Sequence, residues 1–214
     1  MVLFEDVEFI PFGIDKFKNS LTNVLLEVEN EFLQKMFPYF GYLLNPPQPI
    51  EIKLYAGLPE FNIPNKRIRI PFSPYNFTED RCLDSLRIAT HSCAHESGHY
   101  LHYFTNKEFF KQKIPNYTEI KRKKDRDIYL LREVVAELGA LAFFDISNRE
   151  FSNEVISHRQ HLFNNSVYDF YLEKGRDYCL KKIKNLATLH LTERDYKDIL
   201  DIGRRGWIGR PRIK

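Results

Sequence analysis

Four histidines, His91, His95, His99 and His102, follow one another at intervals of four, four and three residues. At about 100° per residue these intervals are helical, and with His91 at zero the other three fall at roughly 40°, 80° and 20°. A helix over this stretch carries an imidazole ridge along one face, and spacing alone does not say which pair would bind a metal. Glu96 breaks the tie. It lies at roughly 140°, beside His99, and only the 95/99 pair encloses a carboxylate at its second position. His91 and His95 enclose Ser92, Cys93 and Ala94, which offer no acid or base.

The sequence His95-Glu96-Ser97-Gly98-His99 suits metal-assisted hydrolysis for a geometric reason. Side chains four apart on a helix have Cβ atoms about 5–6 Å apart, so two imidazoles can converge on one Zn²⁺ at about 2.0–2.1 Å. A catalytic zinc takes a third protein ligand and leaves a position for water. Glu96, next to that water without ligating, is the candidate general base and then acid. Gly98 costs about 1 kcal/mol inside a helix relative to Ala, which is understandable if another helix packs close against this face.

The third ligand is sought on the next long helical stretch, where Glu133 and Glu137 lie four apart among Val134, Val135, Leu138, Leu141 and Ala142. Carboxylates on an otherwise apolar helix need partners, because unpaired buried charge is costly. One would ligate zinc and the other would hydrogen-bond a ligating histidine. The competing reading is an ion-pair network with Arg132 or the basic run from Lys121 to Lys124.

"HESGH" followed by "EVVAE" resembles the gluzincin branch of zinc metallopeptidases, in which a Glu on a following helix completes the HExxH site. It is similar in particular to the HtpX-like and CAAX-prenyl-type peptidases, whose glutamate helix carries Glu-Phe-x-Ala-Asp. The compact layout is nearer the soluble minigluzincins. By position, the resemblance implies that His95, His99 and Glu133 hold Zn²⁺, that Glu96 is catalytic, and that Glu137 stands where the family has an Asp that supports a ligand. Glu in place of Asp changes the reach, and the two glutamates could exchange roles. The resemblance covers about 66–144. It implies a zinc-dependent peptidase acting on peptide or protein substrates. The alternative is a latent or inactive zincin-fold binding protein, with the basic C-terminal tail as a blocking or docking segment. Two other branches fit less well: no Gly and His follow His99 at metzincin spacing, and no His occurs between 103 and 157 as an SprT-like protease would need.

The rest of the chain sets the expected frame. "IEIKLY" (50–55) and "KRIRIPF" (66–72) alternate as strands do, and Pro71 suggests an edge along which an extended peptide could add. Helices are expected from about Asp15 to Met36, 78–103, 126–146, 149–163, 167–187 and 193–201, with Asp15, Thr78, Ser166 and Thr192 as caps. The expected fold is α+β and zincin-like: a small, mostly antiparallel sheet, then the active-site helix, the glutamate helix and a C-terminal helical extension. Residues 1–214 are read as one domain, with a metallopeptidase core at about 50–147 and the extension and basic tail at about 148–214.

Three scattered cysteines, no basic, apolar leader and no long apolar run point to a cytoplasmic protein without a membrane span. A formal net charge of +3 does not call for nucleic acid. Tyr168, Tyr171, His158, His161 and His190 are candidate oxyanion donors that the sequence leaves unranked.

Overall fold

The computed structural model describes residues 2–4, 14–40, 51–55, 60–62, 67–71, 82–105, 123–149, 166–186 and 193–206, with side chains described on the helices only. In chain order the elements are β1 (Val2–Phe4), α1 (Ile14–Met36) with a 3-10 turn (Phe37–Phe40), β2 (Glu51–Tyr55), β3 (Glu60–Asn62), β4 (Arg67–Pro71), α2 (Cys82–Thr105), α3 (Lys123–Ile146), α4 (Ser166–Lys174), α5 (Arg176–Leu186) and α6 (Glu193–Gly206).

The expectation of an α+β domain on a mostly antiparallel sheet is overturned. Among the residues whose burial is described, every buried one lies on a helix or on the 3-10 turn that extends α1, and the packed body they form is all-α. The short strands follow the order β1-β2-β4-β3, and β1 with β2 and β2 with β4 pair parallel. Only β3 with β4 is antiparallel. The β1–β2 pairing has a simple cause, since α1 lies between them and a crossover helix returns the chain in the same direction. The edge assignment of "RIRIPF" is also corrected. β4 lies between β2 and β3, and Pro71 sits at its last position opposite Tyr55.

α1 buries Leu21, Leu25, Val28, Phe32 and Met36, a spacing that keeps one stripe facing inward. Asp15 is inside this helix and does not cap it, because Ile14 is already helical. α2 is buried without interruption from Ala89 to His102, and α3 from Val134 to Phe144. A helix buried all round has neighbours on every side, and α3 packs on α1, α2, α4, α5 and α6. The Phe32 and Phe143 rings, 5.2 Å apart at their centroids, tie α1 to α3.

α3 ends where Asn148 adopts φ of 51°, a left-handed conformation that Asn tolerates better than most residues. The Ser147 and Arg149 amides then donate to the Phe143 and Phe144 carbonyls. That turn delivers Arg149 to Glu27 and Glu31 of α1 at 2.8 and 2.6 Å. The expected helix at 167–187 is broken by Gly175, whose φ of 78° stops α4 before α5 begins. α6 runs past the expected 201 to Gly206, so Arg204 is no part of a loose tail: it grips Asp127 of α3 through Nε (3.1 Å) and a second guanidinium nitrogen (2.7 Å). The proposed cap Thr78, the expected helix at 149–163 and the tail beyond 206 lie outside the described residues.

Candidate metal centre

α2 and α3 run antiparallel at very close range, and the contact depends on small residues. A Cβ added to Gly98 would lie 2.5 Å from the Ala136 carbonyl oxygen and 2.9 Å from its Cα. Gly139 sits opposite, where an added Cβ would come 3.7 Å from the Gly98 Cα. The helical cost of Gly98 thus corresponds to a backbone-to-backbone approach. One consequence is that the histidines of α2 and the glutamates of α3, within a turn or two of this contact, face each other at bonding range.

The facing groups form a ladder that climbs α2 as it descends α3. His91 Nε2 is 3.0 Å from Glu137 Oε1. His95 Nδ1 is 2.6 Å from Glu137 Oε2, and its Nε2 is 3.3 Å from Glu133 Oε2. His99 Nε2 is 3.4 Å from Glu133 Oε1. The His95 and His99 rings are nearly perpendicular, with centroids 4.8 Å apart. Glu96, 3% exposed, lies between them on α2. His95, Glu96 and His99 form a buried group that could hold a metal ion, with one ligand atom from each all within 4.8 Å of one another.

The distances separate the two glutamates. An ionised carboxylate only accepts, so the short contact to Glu137 puts the proton of His95 on Nδ1. In the neutral ring Nε2 then carries the lone pair, on the side that faces Glu133. The two Nε2–oxygen distances to Glu133 exceed the usual range of about 2.7–3.2 Å for an N–H···O hydrogen bond. Each is close to the separation of ligand atoms, about 3.3–3.4 Å, around a tetrahedral ion bound at about 2.0–2.1 Å, with a different Glu133 oxygen facing each ring. The donors present, two imidazole nitrogens and a carboxylate, are those that zinc accepts, so the residues fit such an ion.

Burial alone would raise the Glu133 carboxyl, but protonated His99 and His95 rings opposite it more than reverse that and hold it below the usual carboxylate range. His102, a member of the sequence ridge, is also buried: burial, with His99 and Arg132 nearby, pushes its pKa down to about 3 and keeps the ring neutral. Cys93 is turned toward α1, its Sγ 3.8 Å from the Leu25 carbonyl oxygen, and burial pushes its thiol far above the ordinary value. It is a core residue.

Among the candidate oxyanion donors, Tyr171 is excluded. Its hydroxyl donates to Asp145 at 2.8 Å, and Asp145 is twelve residues beyond Glu133, about 18 Å along the helix axis. Tyr168, on α4, packs against the core as a partly buried ring. His158, His161 and His190 lie outside the described residues. The element that sequence reasoning left without a partner is His91. Its four-residue spacing from His95 was visible, but the bond to Glu137 needed the register of α2 on α3. No described helix is long and apolar enough to cross a membrane. Compared with models of known protein families, with curated proteins and with solved structures, the chain matches none.

Proposed function

We propose that the chain is a zinc-dependent peptidase, with His95, His99 and Glu133 holding the ion, Glu96 as general base and then acid, and Glu137 orienting His95. The observation that carries this reading is the split between the carboxylates: Glu137 lies at hydrogen-bond distance from Nδ1 of His95 while Glu133 faces the Nε2 atoms of both histidines. Zinc held there supplies Lewis acidity that polarises a carbonyl and makes water easier to deprotonate.

The chain's own groups account for the proton movements. Glu96 takes a proton from water as its oxygen bonds to the peptide carbonyl carbon. It gives a proton to the amine nitrogen as the carbon–nitrogen bond breaks, so the carboxylate ends as it began. Glu137 keeps His95 in the tautomer whose Nε2 can ligate. The close packing of α2 on α3 keeps both glutamates in register.

The test is metal content and hydrolysis measured together on the full chain. One zinc per chain is expected, with cleavage of an unfolded protein substrate lost in Glu96→Gln while zinc is retained. Failure to take up zinc after reconstitution would refute the proposal.

A second reading is favoured by the burial of His95 and Glu96, which are 1% and 3% exposed: the same site held closed in a latent or binding protein. A chain ending at Gly206, which keeps all of α6, separates the two. Cleavage that appears only on truncation supports latency, and equal cleavage by both forms excludes it.

A further inference from the structure

We propose that His91 is a positioning residue of this site, acting through Glu137 on the ligand His95. The inference rests on the metal-site reading above. Glu137 has two carboxylate oxygens, and each accepts from a different imidazole: Oε2 from His95 Nδ1 at 2.6 Å, and Oε1 from His91 Nε2 at 3.0 Å.

A second donor, on the opposite oxygen from the first, restrains the carboxylate plane, and with it the direction of the His95 ring. Both donors stand on one helix four residues apart, so the backbone of α2 sets their spacing. His91 is itself held in place: it is 2% exposed and its ring lies against Phe144, with centroids 5.8 Å apart.

Outer partners of metal-bound histidines typically change metal affinity about 10–100-fold when removed. A histidine that only filled the core would not act through Glu137. The role also fixes a tautomer, since His91 must carry its proton on Nε2 to donate to Oε1.

The experiment compares zinc dissociation constants, measured by chelator competition, for the wild type, His91→Gln, His91→Met, Glu137→Ala and His91→Met with Glu137→Ala. Gln and Met are close in shape, but only Gln offers an N–H. His91→Met is expected to bind zinc about tenfold or more weakly, and His91→Gln to stay within about threefold of wild type. His91→Met should add less than about twofold in the Glu137→Ala background, because coupled residues are not additive.

Equal affinities for the Gln and Met variants, or a full Met penalty without Glu137, would overturn the role. Nitrogen-15 spectra of the wild-type, zinc-loaded chain give a check that needs no variant to fold. A protonated Nε2 on His91 is expected, and a ring protonated on Nδ1 alone overturns the inference. Should the wild type bind no zinc, the metal reading fails and this inference with it. Zinc binding without the Gln–Met difference removes only the role of His91.

Discussion

The contact of Gly98 with Ala136 gives the sharpest test of the fold. In Gly98→Ala the new Cβ would stand 2.5 Å from the Ala136 carbonyl oxygen and 3.1 Å from its carbonyl carbon, both backbone atoms that cannot rotate away. A carbon settles near a carbonyl oxygen at about 3.3 Å, so α2 and α3 must part locally by about 0.8 Å. Overpacking of this kind costs about 1–3 kcal/mol, and the better helix propensity of Ala returns about 1 kcal/mol. The net loss is up to about 2 kcal/mol, a fall of up to roughly 8 °C in Tm for a chain of this size. The same displacement exceeds the tolerance of about 0.2 Å on metal–ligand distances, so zinc affinity should fall by about tenfold or more. Gly139→Ala is the control, since its Cβ would meet only the Gly98 Cα at an ordinary 3.7 Å. Gly139→Ala should be neutral or stabilising by up to about 1 kcal/mol. Thermal melts and chelator titrations of both variants make the comparison. A Gly98→Ala chain that melts no lower than wild type and binds zinc equally well would refute the close approach of these helices.

Other expectations follow from the clamps and thiols of the helical body. Burial raises the Glu31 carboxyl, but Lys35 and Arg149 outweigh it, leaving the folded pKa below its ordinary value. Its stabilisation should therefore be present above the unfolded carboxylate range, about pH 4.3, and be lost as pH falls through the lower folded value. Arg149→Met should flatten that acid-side loss in urea titrations between pH 5 and 3, and an unchanged slope would contradict the clamp. Burial pushes the Cys179 thiol up to about 12 and that of Cys93 higher still, and both side chains are fully buried. Site-resolved alkylation at pH 8 should leave both unmodified in the native chain and modify both in denaturant; native labelling of Cys93 would contradict its place between α1 and α2. Arg204→Lys should lose the paired contact with Asp127, at about 0.2–1 kcal/mol for a partly exposed ion pair, read from the urea midpoint.

The sequence was most legible where one helix carried both pattern and chemistry. The period of α1 showed in Leu21, Leu25, Val28 and Phe32 because a one-sided helix writes its buried stripe into the chain. The histidine ridge, Glu96 and the Glu133/Glu137 pair were legible for the same reason, as was the need for something close at Gly98. Which glutamate faces Nε2 was not legible. That choice depends on the register of α2 on α3, and shifting one helix by a turn would exchange the two. Strand direction was hidden too. The alternation in "IEIKLY" and "RIRIP" marks strands but carries no sign of parallel or antiparallel pairing, and β1 and β3 are three-residue strands too short for a period to show. Placing Pro71 at an edge overlooked that the last position of an inner strand suits proline as well. The reach of α6 to Gly206 was obscured by its arginines, which read as part of a basic tail until Asp127 of α3 supplied a partner for Arg204.

The central claim is that one ion sits between α2 and α3 on two imidazoles and one chosen carboxylate. The most direct measurement is anomalous diffraction at the zinc edge from crystals of the zinc-loaded chain. The expected result is a single peak within about 2.2 Å of the Nε2 atoms of His95 and His99 and of a Glu133 oxygen, with Glu137 still on His95 Nδ1. A peak bonded to Glu137 in place of Glu133, or no peak between these helices, would contradict the account.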